Sequence, residues 1–303
     1  MRFGSIALVA FAWVVLGACA SDRTASGLNV DGGGFPKPLD GSNADSSHTG
    51  VGCAAAAKWV YLVAADRTFI RFEPDSKTLT PLGKLSCPLE TTTPFSMSVD
   101  RSGTAWVLYQ SGEIYNVDVT NAGCTATNYL TGQHDVRLFG MGFVSDEDGG
   151  STESLFIAGG QGLPTSAPTA TLATLDTTSL TVAPVGTVTG WPELTGTGTG
   201  ELWGFFPNIA PKTVVELNKE TGAVLQTFNV NAIDTSGSGT LVQAWAFAFW
   251  GGVYYIFYQG SLDASTSIWT LDPKTSDISL VSAGTGYSIV GAGVSTCAPV
   301  VLL

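Results

Sequence analysis

Five cysteines, two histidines and a thin scatter of carboxylates are the groups in this 303-residue chain that could do chemistry. No Cys-x-x-Cys occurs, and His48 and His134 are the only histidines, so neither a zinc site nor a haem attachment is expected. Nucleophilic catalysis also lacks its parts. There is no Gly-x-Ser-x-Gly elbow, and His134, lying between Gln133 and Asp135, reads as a surface-loop residue. Carboxylates could supply a general acid and base if two converged within about 5 to 9.5 Å. The candidates are Asp100, Asp146 and Glu193. Asp100 opens Asp-Arg-Ser-Gly, which reads first as a hairpin turn. Asp146 and Asp148 belong to an acidic Asp-Glu-Asp-Gly-Gly loop that could offer oxygens to calcium. That loop lacks regular ligand spacing, so a solvated loop is the expectation, with no metal and no cofactor.

Composition narrows the partners. Only 13% of residues are charged, the formal net charge is −12, and no basic cluster exists. Nucleic acid is therefore not an expected partner. Low charge with abundant Gly and Thr favours short strands and many turns over amphipathic helices.

The elements that must position these groups show a repeat. Two mostly apolar residues, any residue, an apolar residue and then Asp, Glu or Asn recur. The pattern reads Phe69–Glu73, Ile114–Asp118, Leu172–Asp176, Val214–Asn218 and Ile268–Asp272. Each copy precedes a turn, so the recurring Glu73, Asp118, Asp176, Asn218 and Asp272 are expected to cap turns and not to form a ligand ring. A strand precedes each copy, as in Trp59–Ala64 or Val253–Tyr258, and a third follows it. Four copies have a further strand ahead of them, starting near Pro94, Leu138, Trp191 and Leu241. The first copy lacks one, and an unassigned strand remains at Tyr287–Val294.

This arrangement resembles β-propeller proteins as an architecture. It implies an all-β fold over residues 53–303, a five-bladed β-propeller of four-stranded blades, with the C-terminal strand closing the ring in the first blade. A sandwich of similar strand count is the alternative, but it leaves the displaced strand unexplained. In such a ring Cys53 and Cys297 would meet at the seam, which leaves Cys87 and Cys124 to join the first two blades. In Gln243–Trp250 large rings alternate with alanine, a pattern of large-against-small packing between blades. Five-bladed glycosidases resemble the chain in blade count, so a propeller hydrolase or lyase acting on polysaccharide is the alternative function.

The N-terminus carries a second resemblance. Met1-Arg2, an apolar run from Ile6 to Leu16 and then Leu16-Gly17-Ala18-Cys19 make a secretory signal. Leu-Gly-Ala-Cys resembles the lipobox of bacterial lipoproteins. The resemblance implies a signal peptide over residues 1–18, cleavage before Cys19 and lipid on that cysteine. Ala20 in place of aspartate points by the family's sorting rule to the outer membrane, and so to a cell-envelope location. Residues 19–52, rich in Gly, Ser and Asp and including His48, read as a flexible tether.

The leading expectation is thus a lipid-anchored, non-catalytic propeller that binds a protein or glycan, or acts as a scaffold. A monomer is expected. The rim formed by loops between the second and third strand of each blade is the expected binding face. Tyr109, Gln161, Trp191, Asn208, Tyr258 and Gln259 are its candidate residues.

Overall fold

A computed structural model describes residues 52–89, 91–163, 168–235 and 241–301. The expected signal peptide, Cys19 and the tether up to residue 51 lie outside the described residues.

Five four-stranded antiparallel sheets form the blades of a five-bladed β-propeller. Blade 1 holds β1 (Val60–Ala64), β2 (Thr68–Glu73) and β3 (Thr78–Lys84). Blade 2 holds β4 (Pro94–Val99), β5 (Thr104–Tyr109), β6 (Ile114–Asp118) and β7 (Cys124–Ala126). Blade 3 holds β8 (Leu138–Ser145), β9 (Glu153–Gly160), β10 (Thr169–Leu175) and β11 (Val182–Thr189). Blade 4 holds β12 (Glu193–Gly196), β13 (Leu202–Phe206), β14 (Thr213–Leu217) and β15 (Val224–Asn229). Blade 5 holds β16 (Val242–Trp250), β17 (Val253–Gly260), β18 (Ser267–Leu271) and β19 (Ile278–Ser282). The last strand, β20 (Ile289–Gly293), pairs antiparallel with β1 and supplies the strand missing from blade 1. The ring therefore closes as the displaced strand predicts.

In blades 2 to 5 the innermost strand comes first and runs from an upper face to a lower one. Loops between second and third strands, and the passages from one blade to the next, lie on the upper face. The turns after the first and third strands lie on the lower face. The chain enters β1 from the lower face and leaves β20 there.

The core is a set of wedges between blades. Trp106 of blade 2 meets Phe143 of blade 3 edge-on at 6.3 Å. Trp203 of blade 4 packs on Tyr254 of blade 5 at 4.8 Å, and Phe72 of blade 1 meets Tyr255 at 5.4 Å. Along β16 the expected division holds. Phe247 and Phe249 pack with blade 4, whereas Ala246 and Ala248 pack against blade 1. At the centre small residues let backbones touch. A Cβ on Gly142 would stand 2.9 Å from Thr195 Cα, and one on Gly293 would stand 2.8 Å from Val99 Cγ2.

Both disulfides join the expected partners. Cys53 and Cys297 have Cα atoms 5.8 Å apart and lock the seam. Cys87 and Cys124 stand 4.9 Å apart and tie blade 1's exit to blade 2's outer strand.

The turn markers cap as expected, with one exception. Asp118 Oδ1 accepts the Thr120 N–H at 2.8 Å, Asp176 Oδ1 that of Ser179 at 2.7 Å, and Asp272 Oδ1 that of Lys274 at 2.8 Å. Asn218 Oδ1 takes the Glu220 and Thr221 N–H groups, each at 2.9 Å. Glu73, one methylene longer, instead pairs with Arg71 at 2.6 Å. A regularity invisible in the residue types accompanies these caps. The fourth residue after each marker adopts positive φ: Lys77 (56°), Ala122 (60°), Leu180 (59°), Gly222 (73°) and Ser276 (64°). Only blade 4 places the favoured glycine there. Lys77→Gly and Ser276→Gly, at exposed turns, should each raise stability by about 0.5–1 kcal/mol, read as an upward shift of the urea midpoint at unchanged slope.

Candidate functional site

The residues with unusual chemistry gather at the axis, because each blade buries the inner edge of its first strand there. Such an edge carries N–H groups with no ladder partner, and burial makes them costly. Neighbouring blades answer with side chains. Ser98 Oγ accepts the Phe143 N–H at 3.0 Å, and Thr195 Oγ1 accepts the Phe249 N–H at 3.1 Å. Glu193 does the same with a carboxyl, taking the Met141 N–H and the Ser96 hydroxyl. One side chain thereby links blades 2, 3 and 4. Glu193 is 2% exposed, and its desolvation holds the carboxyl well above the usual range despite those two hydrogen bonds.

A second buried carboxyl sits at the lower end. Glu153 accepts the Arg101 N–H at 2.7 Å and the Thr296 hydroxyl at 2.8 Å, and Arg101 Nη1 reaches the same hydroxyl at 2.9 Å. Burial pushes the Glu153 carboxyl up to about 7, against the lowering effect of these partners. Thr296 belongs to the C-terminal tail, which lies across the lower face. Arg101 O receives the Ala54 N–H at 2.9 Å, and Pro299 O receives that of Gly251 at 2.7 Å. A Cβ on Gly198 would come 2.7 Å from Thr296 O. With the Cys53–Cys297 bridge, the tail touches lower-face segments contributed by every blade.

These two carboxyls do not make a glycosidase pair. Gly140 lies against Glu193, and Ser145 pairs with Glu153. Those positions are five residues apart along β8, which is about 16 Å at 3.3 Å per residue. The distance exceeds the roughly 5 to 9.5 Å that acid and base require. Glu201 and Glu216 of blade 4 are nearer each other. Burial first, and Glu201 second, raises Glu216, but Glu216 lies on β14 and Glu201 just before β13, both away from the axis. Asp100 is a turn residue, accepting the Ser102 hydroxyl at 2.6 Å and the Thr104 N–H at 2.9 Å. Asp146 and Asp148 are exposed, and the Asp146 carboxylate is engaged by Ser154 at 2.7 Å. The Lys219 ammonium donates to the Asp146 backbone carbonyl at 3.3 Å. Among the described residues no group of three or more His, Cys, Asp or Glu is placed to hold a metal ion. His134 is exposed in its loop.

The six expected rim residues separate. Tyr109 and Tyr258 are 0% and 1% exposed, and Trp191 and Gln259 are 3% and 6% exposed. They lie at the upper ends of strands or in a tight passage, still inside the wedges. Trp191 Nε1 donates to Thr169 O at 3.1 Å, and the Tyr258 ring takes the Lys212 ammonium at 5.7 Å. Lys212 in turn forms a buried ion pair with Asp234 at 3.0 Å. Gln259 turns inward to Asp263 O at 3.0 Å. Only Gln161 is exposed, with Asn208 half-buried. The exposed apolar groups of the upper face are ones that periodicity did not single out: Leu130, Leu163, Leu241 and Leu262. Each is a lone leucine in a polar loop, where no pattern marks it.

No known family model matches the chain, and no curated protein matches it. Among solved structures the chain is similar to one in a crystal structure of a mitotic checkpoint complex. The two are 14% identical, with 87% of this chain and 76% of that chain covered and a TM-score of 0.36.

Two outcomes follow. Glu193→Gln keeps an oxygen to accept the Met141 N–H and can bond Ser96 by donating its amide N–H to the serine oxygen, so it should unfold within about 1 kcal/mol of the parent. Glu193→Ala should lose about 2–4 kcal/mol in chemical denaturation by orphaning both. Because the folded protein holds the Glu153 proton more tightly than the unfolded chain does, stability should fall as pH rises from the ordinary 4.5 to about 7. Glu153→Gln should flatten that part of the stability–pH curve.

Proposed function

We propose that the protein is a non-catalytic binding or scaffold module, held at the cell envelope by lipid on Cys19, with the upper face as its contact surface. The observation that carries this reading is the asymmetry of the two faces. The lower face receives the chain at Cys53 and is crossed by the disulfide-locked tail. The upper face carries the longer loops and four exposed leucines, of which Leu130 and Leu262 are 76% and 75% exposed. These leucines stand on separate loops of the upper face, and their exposed aliphatic side chains offer apolar contact points to another molecule. The lipobox Leu16-Gly17-Ala18-Cys19 supports the anchor. Outer-membrane sorting, a monomeric state and a protein or glycan ligand belong to the same reading.

A test in two arms follows. Cys19→Ser should abolish incorporation of a palmitate analogue and move the protein from the membrane to the soluble fraction. The double variant Leu163→Glu/Leu262→Glu should keep the parent's thermal unfolding but lose crosslinks to envelope components formed by upper-face photoprobes. Membrane retention of the Cys19→Ser variant, or unchanged crosslinks, would contradict the respective half.

A further inference from the structure

The outer strands are the sheet edges that ring closure leaves open, and an open edge invites another strand to pair with it. Four of the five blades guard theirs. In blade 1, β3 contains Pro81 and ends in Lys84. The passage into blade 2 sets Ser86 beside β7, where its hydroxyl accepts the Cys124 N–H at 3.2 Å. The passage into blade 3 sets Gln133 beside β11, where its Oε1 accepts the Val182 N–H at 3.1 Å, and β11 also contains Pro184. The passage into blade 5 lays a single helical turn, Asn231–Ile233, against β19.

Blade 4 has no such guard among the described residues. β11 ends at Thr189 and β12 begins at Glu193, so the passage into this blade is residues 190–192 alone. So short a passage cannot detour across the three strand spacings, about 14 Å, that separate β12 from β15. β15 reads Val224-Leu225-Gln226-Thr227-Phe228-Asn229, with neither proline nor charge, and no hydrogen bond from outside the blade reaches its main chain. All of it except Phe228 is exposed, Val224 and Leu225 by 62% and 57%.

The side chains beside this edge indicate what would pair with it. Gln226 lies opposite Glu216 of β14, and Glu216 opposite Trp203 of β13. Trp203 Nε1 donates to the Glu201 carboxylate at 3.5 Å, which brings Glu201 to the same corner of the blade. Neither carboxylate joins an ion pair. Those formed by the described residues are Arg71–Glu73, Lys84–Asp66 and Lys212–Asp234. In an added strand, the residue opposite Gln226 would share its face and stand two strand spacings, about 10 Å, from Glu216. A lysine or arginine side chain spans that gap to the Glu216 carboxylate.

We infer that the outer edge of blade 4 accepts an extended peptide segment of a partner protein as a fifth strand, with apolar residues beside Val224 and Leu225 and a basic residue opposite Gln226. Main-chain hydrogen bonds to β15 hold the segment, and the Glu201 and Glu216 carboxylates set its register. The edge of a second copy does not match this description, because β15 carries no cation. The site lies on the circumference of the ring, so it is separate from the proposed upper contact face.

Fluorescence anisotropy with the full chain and an acetylated, amidated nonapeptide of alternating valine and threonine with a central lysine tests it. Saturable binding is expected, with slowed amide exchange confined to β15. Complete N-methylation of the peptide should abolish binding by removing its main-chain donors. The double variant Glu201→Gln/Glu216→Gln, at an exposed and a half-buried position, should keep the parent's thermal unfolding. It should weaken the lysine peptide about tenfold and leave a glutamine-centred peptide unchanged. Leu163→Glu/Leu262→Glu should bind the peptide as the parent does, so failure at this edge and failure of the upper face are told apart. No binding, binding indifferent to N-methylation or to the carboxylate change, protection outside β15, or self-association through β15 would overturn the inference.

Discussion

Everything in this molecule depends on satisfying the inner edges of five sheets where they meet. A propeller removes most sheet edges from solvent, but it brings one strand per blade to the axis with its outward N–H groups unpaired and shut off from water. Ser98, Thr195 and Glu193 each reach across to a neighbouring strand and take such a group. Side chains that short can reach only if the backbones are close, and Gly142 and Gly293 permit the approach. Glycine at the centre and hydroxyls beside it are thus two halves of one solution.

That constraint also explains why a carboxyl sits in the core without partner cations. Glu193 acts as an acceptor with a longer reach than serine, and its burial raises the carboxyl pKa well above the usual range. A strongly perturbed carboxyl ordinarily invites a catalytic reading. Here the geometry assigns it to closing the ring. Glu153 plays the related part at the lower end, where it gathers Arg101 and the tail residue Thr296. The seam is consequently held three ways: by the β1–β20 ladder, by the Cys53–Cys297 bridge and by this polar network. The two bonded ends and the crossing tail make the lower face a structural one.

Much of the fold was legible in the residues. The five acidic or amide markers, the strands around them and the stray strand at Tyr287–Val294 determined blade number, blade starts within about two residues and the mode of closure. Period-two alternation in β16 assigned rings and alanines to opposite blades, and even the disulfide pairing followed once the ring was closed. These features are local patterns or consequences of topology, and a strand's side-chain period survives into the structure unchanged.

What the sequence alone determined, then, is the architecture and the turn chemistry, because alternation, caps and spacing act between near neighbours. Tertiary structure alone decided the state of each side chain that might meet a ligand. Tyr109, Trp191, Tyr258 and Gln259 look like rim residues by position, yet the wedge between blades still encloses them at the upper ends of their strands and in the tight passage before β12. The five left-handed turn positions carry Lys, Ala, Leu, Gly and Ser, so residue type did not reveal them either. Burial and hydrogen bonding depend on what other blades bring alongside, and that information is held in no single stretch of chain.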